Sequence, residues 1–485
     1  FYDNQIDYGF ERKVKPFSWK KAFPTIFKST IKEDLQGDLK RQYNLVKSTA
    51  EQTEKGYERI LEKYSKLSEP DFQYNSGGFD VVLGNPPYGA LFRENEVEYF
   101  KGHYQTSVWR GESYLLFIEK AIKILKYGGQ LGFIIPDTIL NLGFTKSTRN
   151  FLLQNTQIRQ VVGLPTAVFS GATVDTIILV TEKSIFTKPF VPSAVNVMLF
   201  DKKKRISSLT NPNKELSVDA EEWYNQDSFN IRVDSEGQNL LRKISEGKRL
   251  VSDIASMYSG IKVYELGKGN PPQTKKIKEE QQYTSQSKHS KEWSKFFDGK
   301  DIGRYTILWD KNNWIKYGPW LAAPRDHENF EGEKLLIRKI TGKRLIATYV
   351  SQSAFCNTLL FVLKLKTKTI SYLATLAILN SSLIGCFFRK KFQISDDDTF
   401  PQIMIRDILQ FPIPEVEEGI QLELEKEVSF ILEMNSAIRS EKIPNVVEQI
   451  QSRIYHSEER IDKVVYKLYQ LTPEEIKLVE AATHE

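Results

Sequence analysis

Short apolar runs alternate with stretches of helical periodicity from residue 79 onward. The runs FDVVLG, QLGFIIP, IRQVVGL and DTIILVTE have the length and near-continuous apolar character of strands that are covered on both faces. The stretch FTKSTRNFLLQN predicts a helix, and YLLFIEKAIKILKYGG predicts another that ends at a Gly-Gly pair. One face of this second helix carries Phe117, Ile118, Ala121, Ile122 and Leu125. Strands that alternate with helices predict an α/β fold with a largely parallel sheet.

The chain has a different residue pattern on either side of this block. Before it lies a charged stretch with helical spacing, and after it aromatic and basic residues interleave before a helical end. We divide the chain into an N-terminal segment with a charged helical insertion (1–78), the α/β block (79–190), a linker (191–224), a mixed α/β domain (225–415) and a C-terminal helical region (416–485).

Three signals in the second half predict helices. Spacings of three and four residues place Leu424, Val428, Ile431 and Leu432 on one helical face. The segment Thr472-Pro473-Glu474-Glu475 has the proline and the acidic residue of a capping box. The apolar stretch 369–388 has polar residues near its middle, which favours a buried helix over a membrane span.

Composition limits the class of protein. The chain is 40% hydrophobic and 27% charged, which fits a globular protein rather than a disordered one. Its two cysteines, Cys356 and Cys386, are too few for a disulfide framework, so we expect a reducing, cytoplasmic location. The net charge of +6 permits a polyanionic partner without establishing one. Because the chain begins with Phe1 rather than Met, we interpret it as part of a longer protein.

The tetrapeptide Asn85-Pro86-Pro87-Tyr88 comes directly after the first apolar run. Proline cannot donate to a sheet ladder, so two prolines end the strand and stiffen the loop after it. Asn-Pro is also ordinary turn chemistry, and a second copy of the triplet at 270–272 lies among lysines, with Gln273 in the place of Tyr88. Ligands of open α/β sheets bind beyond the carboxyl ends of strands. Only the first copy therefore lies where chemistry is expected.

The first copy offers the groups that would activate a planar amino nitrogen. The side-chain oxygen of Asn85 and the carbonyl oxygen of Pro86 can accept both hydrogens of an exocyclic amino group. This draws the nitrogen towards a tetrahedral shape and frees its lone pair. Tyr88 offers an aromatic face, and a stacked base is worth roughly 1–3 kcal/mol, enough to offset part of the few kcal/mol that base extrusion costs.

The sequence FDVVLGNPPYG resembles the catalytic loop of amino-methyltransferases that use S-adenosylmethionine. The helix, Gly-Gly turn and strand after this loop are similar to those of Taq-type adenine-N6 DNA methyltransferases. The resemblance implies the later half of a Rossmann-like methyltransferase sheet, with Asn85, Pro86, Pro87 and Tyr88 as catalytic residues. It also implies that Asn85 and Phe117 contact the cofactor and that Phe169 packs against the flipped adenine. Plain core packing is the alternative for both phenylalanines.

The segments FFDGKDIGRYTI, GEKLLIRKI and AILNSSLIGCFF resemble the target-recognition domain of Taq-type and fused, type IIG restriction–modification enzymes. PFSWKKAFPTIF also resembles a stretch that precedes the loop in type IIG enzymes. The resemblance implies double-stranded DNA as partner, and a solvated basic face is the alternative. The basic residues that we expect to contact phosphates are Lys295, Lys300, Arg304, Lys316, Arg325, Arg338, Lys339 and Arg344.

One expected element of the resembled family is missing upstream of the loop. No glycine-rich turn precedes Asn85, and Gly77-Gly78 is too close to the loop to serve. We therefore expect an incomplete cofactor site and no activity of this chain alone. An N-terminal region of the same polypeptide would carry the rest of the site and a nuclease. We find no nuclease-like Pro-Asp…Glu-x-Lys spacing and no metal-ligand cluster. The alternatives are a DNA-binding specificity module without catalysis and an amino-methyltransferase that acts on RNA or protein.

Overall fold

A computed structural model describes residues 77–90, 92–107, 112–165, 168, 174–184, 194–201, 208–224, 228–394 and 401–483. The chain forms two compact units, Phe1–Ser235 and Glu236–Glu485. The helices that we predict before residue 77 lie outside the described residues, and the division into five segments stays a prediction.

The first unit is a six-stranded sheet with helices. Its strands are β1 (Phe79–Gly84), β2 (Leu125–Pro136), β3 (Thr156–Gly163), β4 (Thr176–Lys183), β5 (Ala194–Leu199) and β6 (Lys214–Asp219). Its helices are α1 (Glu94–His103), α2 (Ser113–Ile124), α3 (Lys146–Asn155) and α4 (Glu221–Tyr224). The strand order is β1-β2-β4-β3-β5-β6. All four predicted strands and both predicted helices of this block are present. The prediction that the Gly128-Gly129 pair ends α2 is wrong, because α2 ends at Ile124 and both Leu125 and the Gly-Gly pair belong to β2.

The prediction of a largely parallel sheet is wrong. β1 pairs with β2 and β3 pairs with β5 in parallel, but β4 lies antiparallel between β2 and β3, and β6 is antiparallel to β5. β3 and β4 follow each other in the chain and are neighbours in the sheet, and consecutive neighbouring strands need no crossover connection when they pair antiparallel.

Burial differs from the predicted pattern at two places. Phe117 is 48% exposed, although the other residues of its predicted helical face are buried. Val81 and Leu83 in β1 are 51% and 77% exposed, because β1 is an edge strand of the described sheet and is not covered on both faces. The core of the unit lies instead between β2, β3, β4 and the buried faces of α2 and α3.

The second unit combines several small sheets with a helical end. Its strands are β7 (Arg249–Leu250), β8 (Ala255–Ser259), β9 (Thr284–Ser285), β10 (Trp293–Phe297), β11 (Ile302–Gly303), β12 (Thr306–Ile307), β13 (Trp314–Lys316), β14 (Lys334–Arg338), β15 (Ala347–Val350), β16 (Phe355–Cys356), β17 (Leu360–Leu365) and β18 (Pro412–Ile413). Its two larger sheets have the orders β16-β10-β13-β9 and β15-β14-β17-β8, and the pairs β11-β12 and β18-β7 are separate.

The helices of the second unit are concentrated towards its end. They are α5 (Ser235–Ser245), α6 (Val251–Ile254), α7 (Lys275–Glu280), α8 (Tyr372–Asn380), α9 (Ser382–Lys391), α10 (Ile405–Ile408), α11 (Glu418–Ser440), α12 (Pro444–Leu468) and α13 (Pro473–Thr483). Leu424, Val428 and Ile431 are buried on one face of α11, as predicted. The capping box before α13 is confirmed, because the Thr472 amide donates to Glu475 Oε2 at 2.7 Å and the Glu475 amide donates to Thr472 Oγ1 at 3.3 Å.

The apolar stretch 369–388 is a buried helix pair. α8 and α9 meet at Ser381 at an angle of 58°. The polar residues at the bend are satisfied internally: Asn380 exchanges hydrogen bonds with the Ala347 backbone at 3.1 and 3.0 Å, and the Ser381 hydroxyl caps α9. Among the described residues no single helix is long and apolar enough to span a membrane, and only this bent pair passes by length and composition.

Candidate active site

The predicted catalytic loop begins where β1 ends. β1 and β2 are parallel, and the hydroxyl of Tyr88 lies 3.3 Å from the carbonyl oxygen of Ile134, near the carboxyl end of β2. The same hydroxyl donates a 2.6 Å hydrogen bond to Oδ1 of Asn85. Asn85 itself is exposed, while Pro86 is buried beneath it. The structure therefore presents the Asn85 side chain to solvent at the carboxyl edge of two neighbouring strands.

The Asn85 oxygen keeps capacity for a second donor. A carbonyl oxygen has two lone pairs, and the Tyr88 hydroxyl uses one of them. Across the described residues we find no hydrogen bond to the Pro86 carbonyl. The two acceptors that the chemistry requires are thus both present, one of them oriented by a neighbouring hydroxyl.

Ser113, which the sequence pattern did not single out, anchors the loop from α2. Its hydroxyl donates to the Pro87 carbonyl at 2.5 Å, and Ser113 is 2% exposed. Because the bond fixes the peptide between Pro87 and Tyr88, it restrains the position of Tyr88 as well. A serine at the start of a helix is typical of an N-terminal signal, so sequence alone gave no reason to connect it with the loop.

Two tyrosine rings meet behind the loop. Tyr88 packs edge-on against Tyr114 at 6.3 Å between centroids and 87° between planes. Burial raises the pKa of the Tyr88 phenol, and burial raises the pKa of Tyr114 to about 12. Both phenols are therefore neutral near pH 7. Tyr88 acts as a hydrogen-bond donor to Asn85 and does not act as a base.

Phe117 lies one helical turn beyond Ser113 on α2. Residues four apart on a helix are neighbours on its surface, so the ring of Phe117 projects near the residue that holds the loop. Its 48% exposure excludes plain core packing as its role. Its predicted contact with the cofactor stays a prediction. Phe169, the other predicted aromatic, lies outside the described residues.

The second copy of the triplet has a purely structural environment. Gln273, which stands where the first copy has Tyr88, is 2% exposed. Its side-chain nitrogen donates to the carbonyls of Val263 at 2.7 Å and Trp320 at 2.8 Å, and its oxygen accepts from the Glu265 amide at 2.9 Å. This copy closes a turn, in agreement with the interpretation drawn from its context.

Two of the eight predicted DNA contacts have another role in the second unit. Arg304 pairs with Glu458 at 2.8 Å, and Arg344 pairs with Asp462 at 3.3 Å. The two arginine side chains are only 19% and 17% exposed, and both carboxylates belong to α12. These guanidinium groups hold α12 against the sheets. The sequence could not show this, because their partners lie more than a hundred residues away.

The other six predicted contacts lie nearer the surface. Lys300 and Arg325 are exposed. Lys295 on β10, Lys316 on β13, Arg338 at the end of β14 and the adjacent Lys339 are half-buried. Their contacts with DNA stay predictions. In the part of the chain that the structure describes, no group of His, Cys, Asp and Glu residues could hold a metal ion.

Comparison with known proteins gives two family matches. A model of the Eco57I restriction-modification methylase matches residues 2–169, and a model of the TaqI-like C-terminal specificity domain matches residues 294–413. The first match covers the Asn85 loop, and the second covers most of the segment predicted to recognise DNA. These matches confirm the predicted resemblance.

Individual relatives agree with the family matches. One relative is RM.MjaORFECS2P of Methanocaldococcus jannaschii, whose name describes it as a type II restriction enzyme and methyltransferase. It is 27% identical over 456 residues, which cover 89% of this chain and 35% of that protein. The type II restriction enzyme and methyltransferase RM.Eco57I of Escherichia coli is 30% identical over 136 residues, covering 26% of this chain and 14% of that protein. The structure of the type IIL restriction–modification enzyme MmeI in complex with DNA covers 83% of this chain and 56% of that chain, at 12% identity and a TM-score of 0.48.

The chain spans 35% of the length of the M. jannaschii relative and 14% of the E. coli relative. The similarity accordingly concerns segments of this chain. Residues 2–169 match the Eco57I restriction-modification methylase family, and residues 294–413 match the TaqI-like C-terminal specificity domain.

Proposed function

We propose that this chain carries the catalytic loop and the DNA-reading part of a restriction–modification DNA methyltransferase that modifies adenine at N6. The observation that carries the proposal is the exposed Asn85 side chain, held by the Tyr88 hydroxyl at the carboxyl edge of β1 and β2. The matched methylase and specificity families support the reaction class and the DNA partner.

The loop activates the amino group by accepting its hydrogens. The N6 amino group of an extruded adenine donates one hydrogen to Asn85 Oδ1 and the other to the Pro86 carbonyl. Its lone pair then leaves conjugation with the ring and points at the methyl group that S-adenosylmethionine supplies. Positioning and fixed dipoles carry the rate enhancement. No base is needed before attack, because the alkylated nitrogen loses its proton readily.

Tyr88 has two roles in this scheme. Its hydroxyl fixes the orientation of the Asn85 amide, and its ring offers a stacking face for the extruded base. The edge-on contact with Tyr114 supports the ring from behind. Because extrusion costs a few kcal/mol and a stack returns roughly 1–3 kcal/mol, a second aromatic is useful, and we assign that place to Phe169.

We further propose that the cofactor site is shared with an N-terminal region of the same polypeptide, which also carries a nuclease. Asn85 and Phe117 would hold one side of S-adenosylmethionine. The remaining contacts would come from the glycine-rich turn that does not precede Asn85 in this sequence. Isothermal titration of the 485-residue chain with S-adenosylmethionine should therefore give no binding in the micromolar range. Micromolar binding would show that this chain holds a complete site.

The missing turn also favours a second candidate for the chain by itself, which is a DNA-binding specificity module that catalyses nothing. The two candidates make the same prediction for DNA binding and differ in methyl transfer. A methyltransferase for RNA or protein is less well supported, because neither substrate requires a specificity domain of the TaqI type.

The test compares the two triplet copies in a polypeptide that joins this chain to a complete cofactor site. Transfer of tritiated methyl groups to duplex DNA is measured for the parent, for Asn85→Ala and for the matched control Asn270→Ala. We expect Asn85→Ala to abolish transfer while DNA binding stays largely intact, and Asn270→Ala to retain transfer. Transfer by Asn85→Ala at the parental rate would contradict the polarising role of Asn85.

A further inference from the structure

Lysine and tryptophan residues form an ordered pattern on one sheet face of the second unit. In the antiparallel pair β10–β13, Trp293 lies opposite Lys316 and Lys295 lies opposite Trp314. Residues directly opposite each other share a face of the sheet. Between them Ile315 is fully buried, so it points to the other face and into the core. The four side chains therefore share the opposite face in a two-by-two alternation of cation and indole, and Trp314 packs there against Trp309 at 5.2 Å between ring centroids.

Three lysines of this region each lie over an indole ring. The ammonium groups are 5.3 to 5.8 Å from ring centroids, in the pairs Lys288–Trp314, Lys295–Trp309 and Lys316–Trp320. Such contacts restrict a flexible side chain whose stem packs on the ring while its charged end stays near water. We call the surface formed by Lys288, Trp293, Lys295, Trp314 and Lys316 the Lys–Trp face.

The charge of the Lys–Trp face is positive after its carboxylates are counted. Glu292 pairs with Lys316 at 3.0 Å, but the Glu292 side chain is 68% exposed and the Lys316 side chain 39% exposed, so a phosphate can replace the glutamate. Asp310, which is next to Trp309, pairs with Arg439 of α11 at 3.0 Å and is already neutralised. Lys295 has a neutral partner, the side chain of Gln352 at 3.2 Å. Three lysines thus face one exchangeable carboxylate.

We propose that the Lys–Trp face contacts the sugar–phosphate backbone of duplex DNA. This inference rests on the proposed function and adds which surface of the second unit meets the duplex. Lysine is a compact point charge suited to phosphate, whereas base-edge reading favours the planar fork of arginine. Stacking of unpaired bases on Trp314 fits less well, because this indole is half-buried and Lys288 lies over its ring. The occupant is therefore the duplex backbone.

The indole rings preorganise the lysine side chains for phosphate binding. A free lysine loses side-chain entropy when it binds a phosphate, and a lysine already packed on a ring loses less. Backbone contacts of this type are independent of base sequence and release bound counterions. The Lys–Trp face would then fix the register of the duplex and leave sequence reading to other residues.

The test uses the 485-residue chain and three substitutions that keep the aliphatic stem and remove the charge, Lys288→Met, Lys295→Met and Lys316→Met. Affinity for a fluorescently labelled duplex is measured by anisotropy across a KCl series. We expect each substitution to weaken binding and to reduce the slope of log affinity against log salt by about one. The loss should be the same for unrelated duplex sequences. Lys426→Met on α11 is the matched control and should leave the slope unchanged.

The outcomes separate this inference from the proposed function. If the parent chain binds duplex DNA with a marked salt dependence and the three variants keep its slope, the Lys–Trp pairs only stabilise the fold and the inference is overturned. Equal slope changes in Lys426→Met would also overturn it, because overall charge would then be the cause. If the parent chain shows no duplex binding even at low salt, the proposed function fails as well. Thermal unfolding of each variant checks that the fold is retained.

Discussion

The Tyr88 hydroxyl and the side-chain oxygen of Asn85 are joined by a 2.6 Å hydrogen bond within one turn of chain. The bond selects the orientation of the Asn85 amide, because only the oxygen can accept from the phenol. The tyrosine hydroxyl at the fourth position of the loop therefore orients the Asn85 amide, and we expect the ring to offer a stacking surface as well.

Replacing Tyr88 by phenylalanine and by alanine separates these two roles. Tyr88→Phe keeps the ring and loses a hydrogen bond worth about 1 kcal/mol, so methyl transfer should fall about five- to tenfold. Tyr88→Ala also loses the stack, worth roughly 1–3 kcal/mol, and should be slower again by about tenfold or more. Single-turnover methyl transfer at saturating DNA measures both. Equal rates for the parent and Tyr88→Phe would show that the hydroxyl does not orient Asn85.

Ser113 should act as a positioning residue for the loop. Ser113→Ala removes a part-buried hydrogen bond to the Pro87 carbonyl, and the loss of such a bond costs about 1 kcal/mol. We expect kcat to fall with little change in KM for DNA, because the loop is displaced and the recognition surface is not. Ser113→Thr retains the hydroxyl and should recover much of the rate. A loss of stability without a change in kcat would indicate a structural role alone.

Phe169 is predicted to support the extruded base from the side opposite Tyr88. Phe169→Ala should reduce methyl transfer by about tenfold, the equivalent of one stack of roughly 1–3 kcal/mol. A mismatch opposite the target adenine should restore part of the rate, since an unpaired base costs less to extrude. The neighbouring Val168→Ala is the control. A defect of the same size on matched and mismatched duplexes would assign Phe169 to packing.

The pair Arg304–Glu458 predicts a pH dependence of folding. Burial raises the pKa of Glu458 above its ordinary value of 4.5, although Arg304 and Arg344 oppose the rise. The folded state therefore holds this proton more tightly than the unfolded state does. This contribution to stability is complete below pH 4.5 and is lost as the pH rises through the raised pKa.

Urea unfolding of the parent and of Glu458→Gln between pH 4 and 8 measures the effect. The difference in unfolding free energy, parent minus variant, should decline across the window that opens near pH 4.5. Because Arg304 is paired with Glu458 and its side chain is only 19% exposed, we expect Arg304→Gln to lower stability and to leave the salt slope of DNA binding unchanged. A difference that stays constant with pH would show that Glu458 titrates normally.

Features that depend on neighbouring residues in the chain could be predicted from the sequence. The Asn85 loop was placed at a strand end because an apolar run stopped at two prolines, and the Thr472–Glu475 box was predicted from residue types alone. Both depend on contacts within a few residues. The lysine-rich surroundings of the second triplet predict that it has no chemical role like that of the first. The hydrogen bonds of the buried Gln273 side chain agree with this interpretation.

Properties set by distant contacts could not be predicted. The sequence pattern groups Phe117 with the apolar face of its helix, and only the packing of α2 shows that this ring meets solvent. The sequence places Arg304 and Arg344 among the predicted DNA contacts, because it does not show which arginines form ion pairs within the fold. The antiparallel insertion of β4 likewise depends on which edges of β2 and β3 are open, and no residue pattern encodes this.

The identity of the methylated base tests the proposed adenine-N6 methyl transfer most directly. Duplex DNA methylated by a polypeptide that joins this chain to a complete cofactor site is digested to nucleosides and analysed by mass spectrometry. We predict N6-methyldeoxyadenosine, its loss in Asn85→Ala and its retention in Asn270→Ala. Methylation of cytosine N4, methylation of RNA or protein in place of DNA, or unchanged adenine methylation in Asn85→Ala would contradict the proposal.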